Sequence, residues 1–477
     1  MTCMTGRIGA TALLLSLACS AYGQPGNAIA EEKASVDRPK LQYLRFNEDW
    51  SSLKNASRDD LPWQDAIKHI PLSDDGDVWL SLGGHTRARF EAHDNFAFGA
   101  PAIDNDDFLL WRAKLHADLH IGDSFRFFVE GKSALSTDRD LPGGNRTLDV
   151  DSFELQQAFV DLSFELGEGT RLTIRPGRQE LSFGKQRLVS PLPWGNALRH
   201  WDGVSALLSA EGFKAHAFWT EFTPVDKYDF NTADTSRDFY GLYTTSDFGA
   251  TKLDLYYLGF ERGSATFNGT TGREERHTVG GRLFGKFGET GIDYDLEGAY
   301  QFGSVGSADV SAFMIGSQIG WSPSDLAWKP RFYVGFDYAS GDDAAGGDVQ
   351  TFNHLYPLGH AYLGFIDIVG RQNIADVSVG VKFSPLKKVS IGIDGHFFFR
   401  AEDSDALYNA GGGVVRGAGG STSKDVGAEL DLTVKWSVNR HVTAQLGYSH
   451  FFADDFIEET GSSKDIDFFY TQIVMTF

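Results

Sequence analysis

The chain has 477 residues, a formal net charge of −22 and a mean hydropathy of −0.25. The charge argues against nucleic acid as a partner, and no run of about 18 uncharged apolar residues is present to make a membrane helix. Glycine (54 residues) and aromatics (13%) are plentiful, and proline (14) and methionine (4) are few.

Residues 1–23 read as a secretory signal, with Arg7 at the start, an apolar core over 8–18 and the small-residue exit Ala21-Tyr22-Gly23. The core is too short to span a bilayer, and Ser16-Leu17-Ala18-Cys19 is a poor match to a lipoprotein site. Both cysteines, Cys3 and Cys19, fall inside this signal. The mature chain is therefore expected to hold neither a disulfide scaffold nor a thiol nucleophile. Residues 24–77 are polar and lack a period of two. They contain short mixed stretches at 44–50 and 65–70 and read either as a partly helical pre-barrel segment on the periplasmic side or as a disordered leader.

From Val78 the pattern changes. Leu80, Leu82, Thr86, Ala88 and Phe90 share one face of a strand, and Ser81, His85, Arg87, Arg89 and Glu91 share the other. Leu109, Trp111, Ala113, Leu115, Ala117, Leu119 and Ile121 then alternate with Leu110, Arg112, Lys114, His116, Asp118 and His120. Such runs are too charged for strands buried on both faces, so one face must meet something apolar and the other water. Further strands are predicted near 124–136, 152–164, 170–178, 203–209, 213–220, 238–244, 251–261, 275–285 and 290–303. The last ones fall near 310–321, 330–340, 374–384, 389–401, 425–436, 442–451 and 467–477, for about 18 to 20 in all.

Short connections near 122–123, 210–212, 385–387 and 437–439 tend to alternate with long ones near 92–107, 137–150, 179–202, 221–237, 262–274, 341–373, 402–424 and 452–466. That rhythm predicts an all-β chain, a transmembrane up-and-down antiparallel β-barrel of about 18 strands over 78–477. An open edge inside hydrocarbon leaves backbone groups unpaired at several kcal/mol each, so the last strand must pair with the first. Trp79, Trp111, Trp219, Trp321, Phe383, Trp436 and Tyr448 fit aromatic girdles at strand ends. The closing stretch Asp467-Phe-Phe-Tyr-Thr-Gln-Ile-Val-Met-Thr-Phe477 resembles the signal that the barrel-assembly machinery reads in outer-membrane proteins. The expected location is the outer membrane.

The predicted lumen face carries the bases Arg87, Arg89, Arg112, Lys114, Arg126, Lys132, Arg282, Arg331, Lys382 and Arg400, and about as many acids. Many are expected to pair across neighbouring strands. Early strands carry more base and later ones more acid, an unevenly charged constriction suited to selecting a charged solute. The planar fork of arginine can hold a carboxylate and pass it along a ladder of similar sites. No Gly-x-Ser-x-Gly elbow appears, the histidines are scattered, and no enzyme activity, metal or cofactor is expected. Gly341-Asp342-Asp343 reads as a solvated acidic loop rather than a cation site.

Residues 176–203, from Pro-Gly-Arg-Gln-Glu-Leu-Ser-Phe-Gly through Leu-Arg-His-Trp-Asp-Gly, resemble the alginate export family of outer-membrane barrels. So do Leu82-Gly-Gly-His-Thr-Arg-Ala-Arg-Phe-Glu91, Gln157-Ala-Phe-Val-Asp-Leu162, Gly335-Phe-Asp-Tyr-Ala-Ser-Gly-Asp342, Phe352-Asn-His-Leu-Tyr-Pro357, His396-Phe-Phe-Phe-Arg-Ala401 and Glu429-Leu-Asp-Leu432. The resemblance implies a monomeric 18-stranded barrel with an arginine-lined anion path that exports a polyuronate. Carried over, the path residues are Arg87, Arg89, Arg112, Arg178, Arg199, Arg282 and Arg400, with Lys114 beside them on the lumen face. Alternation from Leu172 and Ile174 puts Arg178 on the lipid face unless a bulge at Pro176-Gly177 turns it inward. Arg199 reaches the pore only if its loop folds in. The expected function is passage of an anionic, alginate-like polysaccharide. The alternative is an uptake porin for small anionic or sugar-like nutrients. Expected partners are the anionic solute, outer-membrane lipid, the assembly machinery and, for an exporter, periplasmic secretion partners.

Overall fold

The computed structural model describes residues 38–477. The expected signal, both cysteines and the first part of the pre-barrel segment lie outside the described residues. Among the described residues, nineteen strands hydrogen-bond into one sheet. The shortest, Ile70–Pro71, only adds to Leu80 and Trp79 of the first long strand. The other eighteen make the barrel wall, from Val78–Asp94 to Ile466–Thr476. The wall closes antiparallel, with His85 opposite Thr476 and Asp94 opposite Asp467. No described helix is long and apolar enough to cross a membrane.

The wall is inside out relative to a water-soluble protein. In the strand Asp106–Ile121, Leu115 is 65% exposed while Arg112, two positions past Leu110 on the opposite face, is 2% exposed. The same inversion exposes Trp111, Trp219, Trp321, Phe332 and Trp436 and buries Lys132, Asp254 and Asp376. Apolar side chains on the outside cost nothing only where hydrocarbon surrounds them. Register is pinned by tyrosines that lie over glycines on the facing strand. Tyr256 pairs with Gly280, Tyr333 with Gly380 and Tyr470 with Gly447. A Cβ at any of these glycines would strike the ring.

Two sequence expectations need correction. The long connection expected at 262–274 is strand. Thr251–Phe267 and Thr270–Lys286 run on to a two-residue turn at Asn268 (φ 37) and Gly269 (φ 90). Asn-Gly suits the positive φ angles of that hairpin turn. The bulge considered at Pro176-Gly177 is absent, because pairing with the next strand runs unbroken from Arg171 opposite Ser209 to Gln179 opposite Trp201. Gly177 instead sits at φ 128, where a Cβ would meet the Ala158 carbonyl.

The segment after residue 38 contains short turns, including Arg45–Asn47, Ser51–Leu53 and Trp63–Ala66, and reaches into the lumen from the short-turn end. Phe46 packs edge-on to Phe128 and Phe159, at 5.7 and 5.2 Å between ring centres. The Arg175 guanidinium covers the Phe46 ring at 4.5 Å. Arg45 donates to the carbonyls of Gly84 (3.2 Å) and Phe477 (3.1 Å) and pairs with Glu48 (2.7 Å), so it ties this segment to the seam where the barrel closes. Lys68 Nζ donates to the Leu82 carbonyl beside it at 2.7 Å.

Candidate functional site

Two long connections at the opposite end, 180–200 and 340–373, fold into the lumen and meet there. Val189 pairs with Tyr356, with Ser190 N–H donating to the Tyr356 carbonyl (2.8 Å) and Tyr356 N–H to the Leu188 carbonyl (2.9 Å). Leu181, Leu188, Val189, Phe352, Leu363 and Val369 are buried in one apolar cluster with wall residues such as Trp201, Phe218, Phe239 and Phe260, which seats the paired loops against the barrel. The Tyr362 hydroxyl donates to the Lys185 carbonyl across the pair.

The first loop turns its carbonyls toward the arginines of the first two strands. Arg87 donates to the carbonyls of Pro193 (3.2 Å), Trp194 (2.9 Å) and Gly195 (2.9 Å) and to Asn196 Oδ1 (3.1 Å). Arg112 donates to Pro193 (3.2 Å) and Gly195 (2.6 Å). Arg89 donates to Trp194 (2.7 Å), covers its ring at 4.0 Å and pairs with Glu91 (2.7 Å). Leu192 at φ 61 lets the loop present these carbonyls together. Three of the predicted path residues thus form one cluster, and its contacts are chiefly to backbone.

The other predicted residues lie elsewhere. Lys114 pairs with Glu130 at 2.9 Å and stands 4.9 Å from the Tyr43 ring. Arg282 is held by Asp254 (3.0 Å) and Asp295 (2.6 Å). Arg178, left opposite Arg175 and Gln179 by unbroken alternation, is gripped by Asp202 (2.7 Å) and by Glu154. Arg400 donates only to loop carbonyls, those of Asp403 (2.8 Å), Asp405 (3.1 Å), Ser421 (3.1 Å) and Ser423 (3.2 Å through Nε), and fastens the ends of the 400–424 connection.

Arg199 does come into the lumen, because its loop folds in. It donates to the Pro357 carbonyl at 2.8 Å. Among the described residues no carboxylate forms an ion pair with it, and burial pushes its guanidinium down to about 10. It borders two cavities. One, of about 360 Å³, also touches Arg89, Arg146, Trp194, His360 and Phe365. The second, of about 480 Å³, also touches Arg237, Arg262, His354 and Tyr356.

Sequence reasoning passed over several of these groups. Arg187, on the infolded loop, pairs with Asp295 and Glu297 at 2.8 Å each, and Arg371 pairs with Asp337. They sit in connections with no period to betray which way a side chain points. The motif Phe352-Asn-His-Leu-Tyr-Pro357 was visible, and its His354 and Tyr356 prove to be lumen groups.

Comparison with known proteins follows the same lines. The family model described as alginate export matches residues 78–470. No curated protein matches the chain in sequence. Solved structures share its fold. Acinetobacter baumannii OccAB1 has 12% identity and a TM-score of 0.57, with 87% of this chain and 100% of that one covered. Pseudomonas aeruginosa OccK11 (OpdR) has 12% identity and a TM-score of 0.55, covering 86% and 98%. Pseudomonas aeruginosa OpdK, solved with vanillate, has 10% identity and a TM-score of 0.52, covering 83% and 98%.

Proposed function

The chain belongs to the alginate export family of outer-membrane β-barrel proteins, and from that premise we propose that this outer-membrane channel passes carboxylate-bearing saccharides, an alginate-like polyuronate first among them. The observation that carries the reading is the way Arg87, Arg112 and Arg199 are satisfied. Their hydrogen bonds go to carbonyl and amide oxygens, with no carboxylate among them. A guanidinium bound to carbonyls leaves its charge uncompensated by a neighbouring anion, whereas a carboxylate partner cancels most of the field of one in an ion pair. Three such charges inside low-dielectric walls favour an anion in the adjoining space. The bases Arg187, Arg282 and Arg331 are instead paired with Asp295 and Asp293, so guanidiniums and carboxylates alternate in this part of the lumen. That interleaving suits many weak sites, which conduction needs, better than one tight site.

A second reading, uptake of small anionic nutrients, is favoured by the filling of the lumen. The infolded loops leave cavities of about 360 and 480 Å³, sized for small molecules. One fold neighbour was solved with vanillate, a small carboxylate. On both readings residues 1–23 serve as a signal and 24–77 as a periplasmic segment, and the assembly machinery inserts the barrel.

Planar-bilayer recording of the whole barrel separates the two. Polyuronate added at low concentration blocks an exporter's current, and monomeric uronate passes without lasting block. Absence of polyuronate block, with monomeric uronate carrying current, overturns the polymer reading in favour of uptake.

A further inference from the structure

The cavity of about 480 Å³ is built differently from the rest of the lumen. It lies at the long-loop end, between the upper parts of strands Phe213–Phe222 and Thr251–Phe267 and the loop residues 353–356 and 408–412. Among the described residues that line it there are three arginines and no carboxylate. Arg262 pairs with Glu274 at 2.6 Å and Arg237 with Asp234 at 3.1 Å, both outside the lining. Arg199 has no such partner. The other arginine-lined cavity, of about 360 Å³, differs in carrying Glu91, Asp149 and Asp367 in its lining.

The walls are aromatic. Phe222 stacks on Tyr356 at 5.0 Å, and Phe260 meets Tyr356 edge-on at 5.8 Å. His354 is buried against the chamber, and its Nδ1 has no hydrogen-bond partner. Burial together with the Arg199, Arg371 and Arg262 guanidiniums holds this imidazole down to about 3, so it faces the chamber neutral at ordinary pH. An uncompensated guanidinium, apolar ring walls and an orphaned buried nitrogen converge on one space. Its volume lies inside the roughly 300–1,000 Å³ typical of small-molecule sites.

We propose that this chamber is a capture site for a ring-bearing carboxylate, with the carboxylate on Arg199 and the ring against Phe222, Phe260 and Tyr356. The inference rests on the anion-channel reading and names a place in the lumen where the solute is held. Two sources share this chemistry: a free small acid and the terminal residue of a polyuronate. Capture here needs no chemistry on the solute. It exchanges the carboxylate's water for a fixed guanidinium fork, and the ring's water for aromatic surface.

Calorimetric titration of the detergent-purified full-length barrel tests the site. The probes are galacturonate, benzoate, their methyl esters and trigalacturonate. At least one acid is expected to bind, with its methyl ester at least tenfold weaker, and Arg199→Gln is expected to weaken the acid at least tenfold. Equal binding of acid and ester overturns the site, as does wild-type-like binding by Arg199→Gln, or no binding of either acid. The ester comparison needs only the wild-type barrel, so it decides even if the variant does not fold. Trigalacturonate binding as well as the monomer assigns the site to polymer ends, and its exclusion assigns the site to free acids. Failure here is separable from failure of the channel reading. An anion-selective barrel that takes acid and ester alike loses the capture site alone, and a non-selective barrel that distinguishes them loses the channel reading alone.

Discussion

Arg112 Nη1 donates to the carbonyl of Gly195 at 2.6 Å, a bond that joins the barrel wall to the inside of a loop 83 residues further along the chain. With Arg87 on the same loop carbonyl, it makes the arginine cluster a fastening as well as a field. The double substitution Arg87→Gln, Arg112→Gln removes both roles. Each lost bond to a buried carbonyl costs about 1–3 kcal/mol, so the 180–200 loop should swing free. Single-channel conductance is expected to rise while anion preference falls. Unchanged conductance would show that other contacts hold the loop.

Phe46 packs against the inner wall at the other end of the lumen. It lies between Phe128, Phe159 and the Arg175 guanidinium. Phe46→Ala is expected to cost about 3–5 kcal/mol if the site cannot collapse. Urea unfolding in lipid vesicles reads that loss. The same variant should conduct better than wild type, because the ring fills the lumen. A stable, equally conducting variant would place Phe46 outside the conducting path.

The inverted wall makes opposite demands on neighbouring residues. Leu115 faces outward, and Leu115→Arg should destabilise the barrel in vesicles by about 2–4 kcal/mol if the residue sits near the bilayer midplane. Lys114, beside it, is buried against Glu130. Lys114→Leu leaves that carboxylate buried and unpaired, at a cost of about 3–5 kcal/mol. A soluble core would show the reverse order of tolerance, with the leucine welcome inside and the charge welcome outside.

The extracellular-side loops carry a pH-dependent contact. Asp342 accepts from the Thr351 N–H at 2.9 Å and also from the Gln350 N–H, and Asp405 lies alongside. Burial, opposed by these bonds and assisted by Asp405, raises its carboxyl to about 6 from an unfolded value near 4. The folded loop therefore holds the proton more tightly than the open one. Its stability is full below about pH 4 and falls as pH rises toward 6, where Asp342 ionises beside Asp405. Amide exchange at Gln350 and Thr351 should quicken across that window beyond the intrinsic base-catalysed rise. Asp342→Asn should abolish the extra change, and its persistence would assign the effect to another group.

What the sequence made legible was whatever a period of two encodes. Leu115 out and Arg112 in follow from alternation alone, and closure of Ile466–Thr476 on Val78–Asp94 follows from the cost of an open edge in hydrocarbon. The Asn268-Gly269 turn was also written in the chain, since that dipeptide is a strong hairpin signal, yet the polar run around it read as a loop. The inward fold of 180–200 was not legible. Its cause is a set of backbone carbonyls meeting Arg87, Arg89 and Arg112, and carbonyls are the same at every residue. Phe46 was hidden for a similar reason, because one aromatic in a polar segment does not announce which cavity it fills. The candidate path residues scattered accordingly. Arg87, Arg89 and Arg112 came together, Arg199 joined them through its loop, and Arg178 and Arg400 were taken up by local partners.

Uncompensated guanidiniums in the lumen are expected to make this barrel prefer anions. The reversal potential of the purified barrel in a planar bilayer under a potassium chloride gradient tests it most directly. The expected result is a potential whose sign reports chloride crossing more readily than potassium, diminished in the Arg87→Gln, Arg112→Gln, Arg199→Gln triple variant. A potential of the opposite sign, or one that the triple variant leaves unchanged, would contradict it.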